Sequence, residues 1–164
     1  MNPTVEMTIE NYGTLKIELY PDKAPKTVDN FLSLVNDGFY SGMIFHRVIK
    51  GFMIQGGGYD VNFDEKDAMP IKGEFASNGF AANDIKHTEG VLSMARTSNP
   101  NSASSQFFIM HKTSPHLDGQ YAAFGKVIEG IEIVDKIANV KTGNYGWFSD
   151  VPKDAVVIKE CKVI

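Results

Sequence analysis

The sequence predicts a mostly β protein, a barrel or a sandwich of short strands accompanied by two helices. Fifteen glycines break the chain into brief apolar segments, and those segments follow one another too closely for alternating strand–helix–strand units. Because only two helical patterns are left over, a closed barrel with helices at its ends is the economical arrangement. A chain of 164 residues has the length of one domain, so we expect residues 1–164 to form a single unit.

The first elements are a hairpin and a helix. Apolar residues alternate with polar ones over residues 5–9 and again over residues 15–19, with the turn-forming Asn11-Tyr12-Gly13 between them. This pattern predicts an opening β-hairpin with one buried face. Pro25 occupies a helix start, apolar residues follow at helical spacing, and Asn36-Asp37-Gly38 is typical of a helix end. A second helix is predicted from Gly130 to Val140.

The remaining apolar segments are short and are bounded by glycine or polar turn residues, as β-strands usually are. They comprise Met43–Val48, Phe52–Gln55, Gly90–Ala95, Phe107–Met110, Tyr121–Val127 and Val156–Val163.

Charge and composition exclude several classes of protein. Sixteen basic and twenty acidic residues give a net charge of −4, which provides no basic surface for nucleic acid. Cys161 is the only cysteine, so no internal disulfide and no cysteine-based zinc site can form. The longest uninterrupted apolar runs are four residues, whereas a membrane span needs about twenty. With no signal-peptide pattern at its start, the chain is expected to be cytoplasmic, with no membrane or nucleic-acid partner.

Glycine and histidine patterns have simple interpretations. Gly56-Gly57-Gly58 lacks the ending of a phosphate-binding loop and is not followed by a helix pattern, so a bulge or tight turn is favoured. The four histidines do not have the spacing of a helical zinc motif, and we interpret them as surface or structural residues. They are His46, His87, His111 and His116. We therefore expect neither a metal nor a cofactor.

A Ser-His-Asp hydrolase is one alternative enzyme class. Ser102, Ser104, Ser105, His116 and Asp118 supply the residue types, but the Gly-X-Ser-X-Gly elbow of that class is missing. The serines lie in a polar, turn-rich stretch, which favours an ordinary loop.

Arg47 and the Phe107–Phe108 pair are less easily assigned. Arg47 lies in an apolar segment shortly before Gly51–Gln55. It is either a salt-bridged core residue or a charge at the floor of an apolar pocket, and periodicity does not separate the two. Neighbours in a strand point to opposite faces, so one phenylalanine should enter the core and the other should point away.

Taken in order, several long segments resemble the cyclophilin family. The similar segments span nearly the whole chain, from residue 5 to residue 163, and ordered agreement over several motifs is far more specific than any single glycine pattern. They are Phe45–Val48, Gly51–Gly57, Gly90–Thr97, Ser105–Ile109, Leu117–Gly119 and Phe124–Val127. Met94–Thr97 and Asp150–Pro152 are similar to the bacterial cytoplasmic branch.

This resemblance implies a peptidyl-prolyl cis-trans isomerase with a closed eight-stranded antiparallel barrel capped by two α-helices. It implies a catalytic set made of Arg47, Phe52, Gln55 and Phe108. It also implies substrate-binding positions at Met53, Ala95, Arg96, Gln106, His116, Leu117 and Tyr121. Within these sets the apolar side chains line a proline pocket, and the backbone at Ala95 and Arg96 pairs with the substrate.

Two positions depart from the best-known eukaryotic members of the family. His116 stands where those proteins have tryptophan, and Tyr121 stands where they have histidine. The resemblance therefore implies weak binding of cyclosporin-type ligands. The expected partners are proline-containing peptides and unfolded proteins, and the chain is expected to be a monomer. No site residue is assigned to the acidic segment 60–69.

The same pocket is also consistent with a proline-peptide binding module that has a chaperone or scaffold role and no useful turnover. Arg47 close to Gln55 argues against this, because binding alone needs no donor directed at the proline nitrogen.

Overall fold

The structure, a computed structural model, describes residues 2–164. Its two α-helices are α1, Pro25–Asn36, and α2, Ile131–Ala138, and two short 3-10 helices span Ala76–Asn78 and Pro115–Leu117. The first five strands are β1 (Thr4–Ile9), β2 (Gly13–Leu19), β3 (Arg47–Ile49), β4 (Met53–Gly56) and β5 (Val91–Met94). The others are β6 (Phe107–Met110), β7 (Ala123–Glu129), β8 (Thr142–Tyr145), β9 (Phe148–Pro152) and β10 (Ile158–Val163).

The predicted hairpin and both predicted helices are present. β1 and β2 pair antiparallel with Met7 opposite Leu15, and every second residue of each strand is buried. α1 begins at Pro25, where the missing N–H costs nothing, and it turns Val28, Phe31 and Val35 into the core.

Eight strands form one antiparallel sheet in the order β10-β1-β2-β7-β5-β6-β4-β3. Bulges interrupt its ladders at Thr8/Ile9, Lys16/Ile17 and Leu92/Ser93, and bulges increase local twist and bend the strands. The sheet therefore curls around its own core. The prediction of a mostly β protein with two helices is confirmed.

The prediction of a closed barrel is wrong, because β10 and β3 are edges that do not pair with each other as strands. The residues preceding the two edge strands meet instead. Ile44 and Val157 form an isolated bridge, and the Phe45 N–H donates to the Val156 carbonyl at 3.0 Å. The segment predicted from Met43 thus becomes a true strand only at Arg47, and the result is a curled half-barrel.

The hydrophobic interior consists of two clusters on opposite faces of β6. Phe107 is fully buried in the larger cluster inside the curled sheet, where its ring contacts Phe31 edge to face at 5.7 Å. Phe108 belongs to a smaller outer cluster with Met53 and Leu117. The predicted alternation of the two phenylalanines is confirmed, and the outer cluster forms the base of the site described below.

β8 and β9 were not predicted. They form a separate two-stranded hairpin that lies against β3 and is exposed around its turn. Within residues 2–164, none of the helices has the length and apolar character needed to cross a membrane.

Candidate active site

One row of side chains crosses three strands of the sheet. Arg47 in β3 is directly opposite Gln55 in β4, and Gln55 is opposite Phe108 in β6. Residues paired in this way lie on the same face of an antiparallel sheet. The register therefore places all three side chains on the outer face, while their strand neighbours Val48, Ile54 and Phe107 enter the core.

The row borders a small cavity of about 150 Å³. Nine of the eleven residues predicted for the site line it: Arg47, Phe52, Met53, Gln55, Ala95, Arg96, Phe108, Leu117 and Tyr121. Drug-sized ligands occupy pockets of roughly 300–1,000 Å³, so this one is suited to a single small ring. Its apolar base is provided by the outer cluster, in which Met53 and Phe108 are almost entirely buried.

Arg47 is held by a chain of hydrogen bonds through the side-chain amides of Gln55 and Gln106. Its Nη1 donates to Gln55 Oε1 at 3.3 Å, and Gln55 Nε2 donates in turn to Gln106 Oε1 at 3.0 Å. Of the two interpretations that the sequence leaves open for Arg47, the structure supports the charged group at a pocket, because its partner is an amide. The interaction orients the guanidinium without neutralising it.

The glycine run 56–58 leaves room for the Gln106 side chain. A Cβ atom at Gly58 would lie 2.5 Å from the Gln106 side chain, which is closer than real contacts allow. Gly57 adopts a φ of +88° that side-chain-bearing residues rarely take. The close backbone approach expected of this run is confirmed, and residues 57–58 form a bend after β4 rather than a hydrogen-bonded turn.

Gln106 and His116 lie outside the small cavity. Gln106 lines a neighbouring cavity of about 270 Å³, which shares Gln55, Ala95 and Arg96 with the first. His116 is exposed, and its ring lies 5.9 Å from that of Phe52, on the outside of the pocket wall.

Arg96 uses its side chain to brace the pocket rim. Its Nη1 and Nη2 donate to the carbonyls of Thr97 at 2.9 Å and Gln120 at 2.6 Å. Its guanidinium also lies over the Tyr121 ring, 4.6 Å from the centroid. Tyr121 in turn meets Phe108 edge to face at 5.7 Å. The aromatic wall is therefore held in place from the solvent side.

A buried polar group behind Phe108 was missed by the sequence prediction. The His87 ring stacks on Phe108 with 6.0 Å between centroids, and its Nε2 lies 2.9 Å from Ser93 Oγ. Asp118 Oδ1 accepts the His87 backbone N–H at 2.7 Å and lies 3.1 Å from Nδ1. Burial lowers the pKa of His87, and the Asp118 carboxylate only partly opposes that shift. A neutral imidazole thus supports the pocket from below.

These contacts remove the basis of the hydrolase alternative. Asp118 pairs with His87 rather than His116, and Ser93, at the end of this chain of hydrogen bonds, is fully buried. Ser102 accepts from the Thr97 N–H and donates to the Asn99 carbonyl, so it closes a loop turn. In the part of the chain that the structure describes, no three His, Cys, Asp or Glu side chains are placed to hold a metal ion.

Comparisons with known proteins point to one family. A family model described as cyclophilin type peptidyl-prolyl cis-trans isomerase/CLD matches residues 4–163. A peptidyl-prolyl cis-trans isomerase of Acinetobacter baylyi is 54% identical over 163 residues, covering 96% of this chain and 83% of that protein. Peptidyl-prolyl cis-trans isomerase B of Escherichia coli is 45% identical over 162 residues, covering 93% and 95%.

A solved structure shows the same fold. The crystal structure of a Cryptosporidium parvum cyclophilin type peptidyl-prolyl cis-trans isomerase, in the presence of the dipeptide Ala-Pro, has a TM-score of 0.81 with this chain. The two are 34% identical, and the match covers 98% of each. The chain therefore belongs to the family of cyclophilin type peptidyl-prolyl cis-trans isomerases.

Proposed function

We propose that the chain catalyses cis–trans isomerisation of X-Pro bonds, with Arg47 as the hydrogen-bond donor to the proline nitrogen. The observation that carries this proposal is the placement of a fixed guanidinium at the edge of a ring-sized pocket whose base is apolar. The family of the chain supports the same substrate class, and so does the related Cryptosporidium parvum structure in the presence of Ala-Pro.

The chemistry requires a donor rather than a nucleophile. In a planar amide the nitrogen lone pair is delocalised into the carbonyl, and an uncatalysed X-Pro bond exchanges in tens to hundreds of seconds. Twisting the bond localises the lone pair on nitrogen. A donor directed at that nitrogen then binds the transition state more tightly than either planar form, which is what catalysis demands. Five decades of acceleration correspond to about 7 kcal/mol.

The pocket residues have complementary roles in this proposal. Phe52, Met53, Phe108 and Leu117 grip the proline ring while the preceding carbonyl rotates. The backbone of Ala95 and Arg96 pairs with the substrate chain, and Gln55, held by Gln106, fixes the guanidinium fork. The apolar base of the pocket lowers the polarity around the substrate, which strengthens the arginine contact and favours the less polar twisted amide.

A binding module without turnover is the second candidate, and one assay separates the two. A protease that cleaves only the trans form of a short proline peptide reports the rate at which cis is converted. The isomerase proposal expects a large acceleration by catalytic amounts of the chain. A protein that binds the peptide and leaves the cis fraction at its uncatalysed rate would be a binding module.

The wider setting is proposed on the same basis. The clients would be proline-containing peptides and unfolded proteins, whose X-Pro bonds hold an appreciable cis fraction. Residues 1–164 would act as one monomeric domain, to which the family match over residues 4–163 corresponds. The free, partly buried thiol of Cys161 is consistent with the cytoplasm as its compartment.

Isomerase activity should depend little on pH between about pH 6.5 and 9, because an arginine donor remains protonated throughout that range. His87 behind Phe108 has a pKa lowered by burial, so its ring also remains neutral there. The initial rate across this range, with and without a chelator, is the measurement. A steep bell-shaped profile would indicate acid–base chemistry, and inactivation by the chelator would indicate a metal.

Cyclosporin-type cyclic peptides should inhibit this chain weakly, and His116→Trp should strengthen inhibition about thirtyfold. Tryptophan offers a broad apolar face and one N–H donor, whereas histidine buries less area and is more strongly hydrated. His116 lies outside the small cavity, so turnover of short peptides should hardly change. Titration of the inhibitor against both proteins tests this. Tight inhibition of the wild type, or no gain from tryptophan, would contradict it.

A further inference from the structure

A continuous series of aromatic rings leads away from the proposed catalytic site. The Tyr59 and Phe63 rings stack with 6.0 Å between centroids, and Phe63 stacks on Tyr145 at 4.4 Å. The Phe148 ring packs against the Phe63 ring with 5.4 Å between centroids, and the Trp147 ring lies 6.2 Å from the Phe148 ring. We call these five residues, from the 59–63 segment and the β8–β9 hairpin, the aromatic ridge.

The outer end of the ridge is open to solvent. Trp147 is 92% exposed and Tyr145 is 54% exposed, and neighbouring Val61 is 53% exposed. Exposed apolar groups gathered in one place usually mark an interaction site, whereas isolated ones need no explanation. Phe63 within the ridge and Asp150 beside it have φ values near +60°, a costly conformation for residues with side chains. The fold thus maintains this surface at some cost in backbone energy.

The segment that carries Tyr59 and Phe63 is negatively charged. Asp60, Asp64, Glu65 and Asp67 lie in the segment that carries Phe63. The one lysine among them is engaged away from the ridge, since Lys66 Nζ lies over the Phe39 ring at 4.5 Å and donates to the Phe39 carbonyl at 3.3 Å. Aromatic faces beside carboxylates bind lysine and arginine side chains through cation–π and ionic contacts. The same carboxylates would repel an anionic lipid surface.

The ridge is continuous with the proposed substrate groove. Glu65 lines the larger cavity that shares Gln55, Ala95 and Arg96 with the proline pocket. The Tyr59 hydroxyl donates to Glu65 Oε2 at 3.3 Å, so the first ring of the ridge contacts the rim of that groove. An extended chain that leaves the proline pocket on this side passes Glu65 and then meets the ridge.

We propose that the aromatic ridge docks a lysine- or arginine-bearing flank of the polypeptide whose proline occupies the site. This inference rests on the proposed isomerase function and adds a substrate preference to it. Docking lowers the KM for long substrates with a basic flank and leaves their kcat unchanged, because no ring of the ridge lines the proline pocket. Short proline peptides do not reach the ridge and are turned over equally well with or without it.

Trp147 provides a direct probe because it is the only tryptophan in the sequence. Three peptides with one common proline core are titrated while indole emission is followed: the core alone, the core with a basic flank, and the core with an acidic flank. We expect the basic flank to change the emission and to tighten binding about tenfold, with the gain lost at high salt. The core alone and the acidic-flank peptide should leave the emission unchanged. Equal affinity for the two flanked peptides, or an unchanged emission with the basic one, would overturn the proposal.

Variants separate the ridge from the catalytic site. Trp147→Ser and Tyr145→Ser should raise the KM for the basic-flank substrate about tenfold without changing kcat or short-peptide turnover. Ile128→Ser is the matched control, since Ile128 is 48% exposed outside the ridge, and it should change nothing. Self-association that Trp147→Ser abolishes would assign the ridge to a second copy of the chain instead. Short-peptide turnover tests the isomerase function alone, whereas emission tests docking alone, so the two proposals can fail separately.

Discussion

Arg47→Ala should fold normally and lose about two to three decades of kcat/KM in the isomerase assay, as expected for a lost transition-state donor. Arg47 is half-buried on the edge strand β3 and has one side-chain hydrogen bond, to Gln55. Truncation therefore removes little packing. The affinity for a short proline peptide should be nearly preserved, because the apolar pocket residues remain in place.

Two further variants make this result specific. Arg47→Lys should restore little activity, because lysine is a point charge without the planar fork that Gln55 orients. Lys50→Ala removes the same charge from a nearby exposed position and should have no effect. A well-folded Arg47→Ala protein that keeps more than about a third of wild-type turnover would overturn the role of Arg47.

The second large effect concerns stability at acid pH. His46 is 5% exposed between the rings of Tyr59 and Phe148, and its Nδ1 has no hydrogen-bond partner within the described chain. Burial, together with the positive charge of Arg47, lowers the pKa of His46 to about 4. The unfolded chain takes up this proton near its ordinary pKa of about 6.5. At a pH between these two values, His46 is protonated in the unfolded state and neutral in the folded state. The free energy of unfolding should therefore fall as the pH drops, by roughly 3 kcal/mol.

Urea unfolding at several pH values between about 7.5 and 4 measures this loss. His46→Phe keeps a ring of similar shape and should flatten most of the dependence. A residual slope is expected from His87, whose pKa is also lowered by burial. His116→Phe alters an exposed histidine and should retain the wild-type profile. A wild-type stability that does not change down to about pH 4.5 would show that His46 titrates normally.

Local patterns predicted the local elements well. Alternation over residues 5–9 and 15–19 and a proline at position 25 act within a few residues, and the hairpin and α1 follow directly. The β8–β9 hairpin could not be recognised, because Thr142–Tyr145 is rich in polar residues, has two exposed residues of four and shows no apolar alternation. Barrel closure also lay beyond sequence patterns, because it depends on how the residues before β3 and β10 meet at the two edges of the sheet.

The candidate site was predictable mainly through the family resemblance. Periodicity placed Arg47 in an apolar segment but could not decide between a core ion pair and a pocket. That distinction depends on the alignment of Arg47, Gln55 and Phe108 across three strands. The contact between His87 and Asp118 that supports Phe108 joins residues 31 positions apart, and no sequence motif predicts it.

NMR exchange spectroscopy on a short proline peptide tests the isomerase assignment most directly, because it measures binding and cis–trans exchange in one sample. Wild type and Arg47→Ala are compared at equal peptide saturation. We expect fast exchange with the wild type and, with Arg47→Ala bound to the same extent, exchange slower by about two to three decades. Peptide bound to the wild type that still exchanges in the tens to hundreds of seconds of a free X-Pro bond would contradict catalysis by this chain.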